Sequence, residues 1–187
     1  MIDPELKSQI DRLQKSDKER IVIALDGRCA AGKSTLAEEL SSLYNCNVFH
    51  MDDFFLRPEM RTKERLFVPG ENVDHERFLH EILKPLCEGG PVTYQRFNCH
   101  SLSLEEPVKV SPKRLNIVEG VYSLHPELAG YFDLTVFCDI SKEEQENRIK
   151  KRNSPEMAER FFNTWIPLEE KYFEALGIRK KADLILG

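Results

Sequence analysis

The chain has 187 residues, 41% hydrophobic and 32% charged, a length and balance that suit one folded domain and exclude collagen and a disordered chain. No stretch approaches the ~20 consecutive apolar residues of a membrane span, and 27 basic against 32 acidic residues (net −5) leave no basic run for phosphate backbones, so neither a membrane nor a nucleic-acid partner is expected. Five scattered cysteines with no C-x-x-C pair read as reduced thiols, and the acidic start MIDPELKSQIDRL lacks the basic cap and apolar core of a secretion signal, which together point to the cytoplasm.

In chain order, Asp3 and Pro4 predict the cap and first turn of a helix that places Leu6, Ile10 and Leu13 on one face. IVIALD (21–26) is a β-branched run ending at glycine, as expected of a strand buried on both faces of a parallel sheet. Further strands are predicted at 47–51, 115–119, 133–139 and 182–186, with helices between several of them, which is the pattern of an α/β fold. Residues 52–110 carry a polar loop, a helix over 75–87 and extended pieces near 91–97 and 107–110, and read as an insertion at one sheet edge. His75 and His80 are five apart, the wrong spacing for a helical ligand pair, so no zinc site is expected. Ser141 with Glu144 predicts a capping box for a helix over 142–152 that is polar nearly all round. Ser154 and Pro155 start another, running to about residue 174, in which Trp165 is expected to be core or a hinge anchor.

The strongest motif is GRCAAGKS (27–34), which fits G-x-x-x-x-G-K-[ST] between a buried strand and the helix TLAEELSSLY. Its glycines let successive N–H groups turn inward, and the helix adds its positive N-terminal end. The loop Gly27, Arg28, Cys29, Ala30, Ala31 and Gly32 is therefore expected to cradle a nucleoside triphosphate. Lys33, read as an exposed loop lysine, would reach the β- and γ-phosphates, Ser34 would hold magnesium, and Thr35 would contact the phosphate nearer the ribose. The second strand leads into HMDDFF; neighbouring side chains at a strand end point to opposite sides, so one of Asp52 and Asp53 is expected at the reacting centre.

GRCAAGKST followed by HMDDFF, NVDHERF and IVEG resembles, in that order and over most of the chain, the uridine kinase, phosphoribulokinase and pantothenate kinase family of P-loop phosphotransferases. The resemblance implies a three-layer α/β sandwich with a five-stranded parallel sheet, formed by 18–51 and 111–187, with 52–110 as the acceptor-binding insertion and 148–160 as a lid. It implies that Asp52 is the general base for the acceptor hydroxyl, that Asp74 binds the diol of a ribose, and that Glu119 lies near the magnesium shell. Tyr94, Phe97 and His100 of TYQRFNCH would line the acceptor pocket, and Arg148 and Arg152 would close over the triphosphate, Arg152 at the transferring group. Arg96 stands where an acidic or small polar residue is usual in uridine kinases. Asp74 can equally cap the helix that follows it, and Arg148 can pair with Glu144.

The expected activity is ATP- and magnesium-dependent phosphorylation of a small-molecule hydroxyl, the resemblance favouring a nucleoside such as uridine or cytidine. Nicotinamide riboside, pantothenate or a sugar-like acceptor stays open, as does a regulatory P-loop NTPase, although no N-K-x-D guanine reader is present. A homo-oligomer is compatible with the sequence.

Overall fold

A computed structural model describes residues 2–187. In chain order the strands are β1 (Ile21–Gly27), β2 (Cys46–His50), four short ones, β3 (Val92–Tyr94), β4 (Phe97–Asn98), β5 (Ser103–Leu104) and β6 (Val108–Val110), and then β7 (Leu115–Glu119), β8 (Leu134–Cys138) and β9 (Leu184–Leu186). The order β2-β7-β1-β8-β9 forms one sheet, and every pairing in it is parallel.

Alternation along the strands explains the three layers, because successive side chains leave opposite faces. Ile21, Ile23 and Leu25 of β1, with Ile117 and Val136, pack against Leu6 and Ile10 of the helix Pro4–Gln14 and Ala37 and Leu40 of the helix Lys33–Leu43. Val22 and Ala24, with Val118 and Phe137, face the other way onto Phe78, Ile82, Tyr172 and Phe173. Asp26 follows Ala24 by two and so points to this second face, where the C-terminal helix Ile166–Leu176 lies.

Residues 52–110 leave the sheet at the edge strand β2. They form two antiparallel pairs, β3 with β6 and β4 with β5, and a helical run over residues 75–87 interrupted by a π turn at Leu79–Leu83. The run is capped by Asp74, and a bridge between Phe55 and Val73 pins its start to the chain leaving β2.

Three expectations change in detail. β2 ends at His50, so Asp52 and Asp53 lie in the 3-10 turn Met51–Phe54 rather than at the strand tip. The helix Lys142–Arg152 is not solvated all round: Gln145 and Ile149 are buried. Trp165 is not core: it is 38% exposed and leans edge-on against Phe161. The π turn Phe161–Trp165 explains this, since its wider turn rotates Trp165 off the stripe that carries Tyr172 and Phe173 inward.

All five cysteines are free thiols. No helix of the described residues is long and apolar enough to cross a membrane.

Gly27 shows how closely the sheet approaches the loop that follows β1. Its φ is +124°, and a Cβ there would lie 2.1 Å from the Cys138 carbonyl oxygen. Gly27→Ala should therefore destabilise the protein by about 3 kcal/mol or more, equivalent to roughly 6 °C or more in Tm for a chain of this size, in thermal denaturation. A variant melting with the parent would contradict this packing.

Candidate active site

The loop over residues 27–34 curls at the end of β1 with positive φ at Gly27, Ala30 and Gly32, and Gly32 forms the N-terminal boundary of the helix Lys33–Leu43. Ser34 and Thr35 open to solvent in the first turn, where helix N–H groups lack partners within the helix. Lys33 is not the exposed lysine that the sequence suggests. It is 7% exposed, and its Nζ donates to the Gly27 and Arg28 carbonyls at 2.7 and 2.9 Å, so the ammonium sits inside the curl.

Opposite the loop, Glu119 ends β7 and is 5% exposed. The Ser34 hydroxyl lies 3.2 Å from both of its carboxylate oxygens, and His50 Nδ1 lies 2.6 Å from Oε1. The parallel register sets His50 beside Glu119, which makes His50 a hydrogen-bond partner of that buried carboxylate. The hydrogen bond to Glu119 raises the His50 pKa, burial opposes it, and Asp53 and Asp52 add to the rise. Alternation in HMDDFF singles out the aspartates; only the register reveals the histidine.

Asp52 is solvent-exposed by surface area, yet the crowded cleft around it pushes its pKa up. Glu119 adds like-charge repulsion, while Lys33 and His50 pull the other way. Its carboxylate is thus electrostatically coupled to both the phosphate loop and Glu119. Asp53 turns aside, toward Arg96 at 3.4 Å and the Tyr94 hydroxyl at 3.5 Å. Ser34, Glu119 and Asp52 make a hard oxygen set of the kind magnesium takes, and the Ser34 hydroxyl already lies 3.2 Å from both Glu119 oxygens, so the residues present fit that ion.

Several residues that shape the site escape sequence inspection. Asp26 is fully buried and accepts from the Gly27, Tyr122 and Leu124 N–H groups at 2.6, 3.2 and 2.9 Å and from the Tyr172 hydroxyl at 2.8 Å. Glu169, 6% exposed, accepts the Cys29 N–H at 3.1 Å. Arg28 is held by Asp139 at 2.8 Å and by Glu170, and Gln145 donates to the Cys29 carbonyl at 3.0 Å. The loop is therefore braced from behind by two helices.

The other sequence-predicted residues divide. Arg148 reaches the loop, with Nη1 3.1 Å from the Ala30 carbonyl, and also pairs with Glu144 at 2.8 Å. Arg152 instead faces the Phe161 ring, 5.5 Å from its centroid. Asp74 both caps its helix, Oδ1 accepting the Arg77 N–H at 3.1 Å, and buries a second oxygen, Oδ2, that has no hydrogen bond and faces Arg77 and Arg57 at 3.6 and 3.7 Å. Tyr94 and Phe97 are 3% and 5% exposed: Tyr94 stacks on Phe54, and both rings are packing rather than open pocket wall. His100 is exposed in the loop between β4 and β5, where its N–H donates to Asn98.

Spacing also hides the pairing of His75 with His125. The two rings stack with centroids 4.0 Å apart, and each Nε2 faces Glu71 Oε1, at 3.1 and 3.7 Å. Among the described residues this is the one His and carboxylate group close enough to hold a metal. However, His125 Nδ1 accepts the Glu127 N–H, so the ring proton sits on Nε2 and points at Glu71, which favours a hydrogen-bonded cluster.

Burial, with His75 adding to it, drives the His125 pKa down to about 4. The unfolded chain therefore takes up the proton first as pH falls, and stability is lost between about pH 6.5 and 4. His125→Gln should flatten the fall of unfolding free energy across that window by up to about 1.4 kcal/mol per pH unit, read from urea denaturation at several pH values. Equal slopes in the two proteins would contradict a buried neutral histidine.

No family model matches the sequence. Over 160 residues the chain is 26% identical to a phosphoribulokinase from Synechocystis sp., a match that spans 83% of this chain and 45% of that protein, so the chain covers less than half of its relative's length. In fold it is similar to a candidate uridine kinase from Bacillus stearothermophilus, with TM-score 0.70 and 24% identity over 98% of this chain and 100% of that one. It is also similar to a candidate fructose transport system kinase from Silicibacter sp. TM1040, with TM-score 0.75 and 23% identity over 100% of both chains. By sequence the chain is thus similar to a phosphoribulokinase, and it shares its parallel α/β fold with those two solved structures.

Proposed function

We propose that the chain transfers the γ-phosphoryl group of ATP to a hydroxyl of a small molecule, with a nucleoside such as uridine or cytidine as the acceptor. The observation that carries this reading is Asp52: a carboxylate on the acceptor side of the cleft, coupled to both Lys33 and Glu119, has a use in phosphoryl transfer to a hydroxyl that a plain nucleotide switch lacks.

The loop over residues 27–34 and Thr35 would hold the triphosphate through backbone N–H groups, with Lys33 turning from the Gly27 and Arg28 carbonyls to the phosphates. Ser34 and Glu119 would hold magnesium, which when bound neutralises charge on the β- and γ-phosphates. Asp52 would orient the acceptor hydroxyl and take its proton. Its raised pKa makes it a better proton acceptor than an ordinary aspartate. Arg148 is already at the loop; Arg152 would reach the triphosphate only if residues 148–160 close as a lid. The nucleoside reading rests on the inward-facing Asp74, because Tyr94 and Phe97 are committed to packing and His100 lies in an exposed loop.

The test is transfer of label from γ-labelled ATP to a panel containing uridine, cytidine, nicotinamide riboside, pantothenate and simple sugars. Acceptor-dependent turnover is expected, and Asp52→Asn should lower kcat by about 100-fold or more with ATP binding kept. Hydrolysis that ignores every acceptor and is unchanged in Asp52→Asn would show a nucleotide switch instead.

A further inference from the structure

Glu119 has two side-chain partners, and only one of them chooses between its oxygens. The Ser34 hydroxyl lies 3.2 Å from Oε1 and 3.2 Å from Oε2, a symmetric contact that does not fix how the carboxylate turns about its last side-chain bond. His50 Nδ1 lies 2.6 Å from Oε1 alone. Carboxylate oxygens accept, so the ring donates from Nδ1 and holds that one oxygen. Oε2 keeps the Ser34 hydroxyl as its one hydrogen-bond partner among the described residues, with lone pairs to spare.

The sheet aims the histidine at this task. In the β2–β7 register Val48 stands opposite Ile117 and His50 opposite Glu119, so all four side chains leave the same face of the sheet. That face carries the helix Lys33–Leu43, whose first turn bears Ser34. Phe49 and Met51, on either side of His50, are fully buried in the opposite core and anchor the chain there. β2 is an edge strand and the His50 side chain is 42% exposed, so packing alone does not demand a histidine at this position. Glu119 is the ring's one hydrogen-bond partner among the described residues.

Magnesium takes oxygen ligands at about 2.1 Å in a near-octahedral shell, so a misdirected carboxylate is a poor ligand for it. A group that hydrogen-bonds a ligating side chain fixes its direction, and losing such a group weakens metal binding by about 10- to 100-fold. We propose that His50 is a positioning residue for the metal: it turns the Glu119 carboxylate so that Oε2 is the oxygen left for magnesium beside Ser34. The proposal rests on the kinase reading above, since it needs the metal-bound triphosphate, and it gives His50 a role there.

The experiment measures the affinity of a non-hydrolysable ATP analogue by calorimetry, once with saturating magnesium and once with the metal removed by EDTA. The ratio of the two affinities is the gain that magnesium brings. His50→Ala removes the donor, whereas His50→Asn keeps one, because its amide nitrogen falls near the place of Nδ1. His50→Ala should cut the gain by about tenfold and leave the affinity in EDTA unchanged. His50→Asn should restore most of the gain. In a Glu119→Gln background His50→Ala should change nothing further, because the two residues act as one unit. No gain in the parent, an undiminished gain in His50→Ala, or an Asn variant as weak as the Ala one would overturn the positioning role. Equal weakening with and without magnesium, or a full further loss in the Glu119→Gln background, would mark His50 as merely structural and overturn it too. The expected order of gains in a protein that transfers phosphate to no acceptor would uphold the positioning role and sink the kinase reading alone.

Discussion

The fully buried carboxylate of Asp26 is the constraint on which the rest of the site depends. Burial raises its pKa, while the N–H groups of Leu124 and Gly27, the ammonium of Lys33 and the Tyr172 hydroxyl favour the charged form. A buried carboxyl group is tolerable only when its oxygens are hydrogen-bonded, so the Gly27, Tyr122 and Leu124 N–H groups and the Tyr172 hydroxyl have to be in place for the domain to close. They come from three separate parts of the chain: the start of the phosphate loop, the turn after β7, and the helix Ile166–Leu176. The turn pays in backbone conformation, with positive φ at Gly120 and Tyr122, and a Cβ on Gly120 would come within 2.8 Å of the Met51 Cβ. Met51 begins the turn that bears Asp52, so the close contact at Gly120 couples the node to the acceptor side.

A second layer of charge surrounds that node. Glu169 takes a phosphate-loop N–H from behind, Glu170 and Asp139 hold Arg28, and Lys33 donates to loop carbonyls. The net charge of −5 is therefore not spread evenly in its effect. Acidic groups grip the back of the loop and line the acceptor side, and the exposed first turn with Ser34 and Thr35 is left for an anion. The helix Lys142–Arg152 reads as a soluble rod but spends Gln145 on the Cys29 carbonyl and Arg148 on the Ala30 carbonyl. Its polarity serves the loop as much as the solvent.

Much of this was legible in the sequence because it is local. The β-branched run before GRCAAGKS, the Asp3 and Ser141 caps and the helical run over 75–87 depend on neighbours a few residues away, and they appear nearly where expected. What was not legible is non-local. Asp26 precedes the motif as an unremarkable strand-end residue, and its importance comes from partners 96 to 146 positions away. His50 gains its role only from the β2–β7 register, and His125 only by stacking on a residue fifty positions earlier. Trp165 misleads for a different reason: a π turn breaks the 3.6-residue period on which the expectation of burial rests. Tyr94 and Phe97 show the limit of reading aromatics in a motif, since a core ring and a pocket ring look alike in sequence.

The central claim is that one carboxylate positions the phosphate loop and the turn after β7 together. The most direct measurement is amide hydrogen exchange in Asp26→Asn against the parent, followed at residues 27–34 and 120–125. Asparagine keeps the size but puts a donor in place of one acceptor oxygen, so protection should fall in both segments together while the sheet strands β1 and β7 keep theirs. Loosening of only one segment, or unchanged exchange in both, would contradict the account.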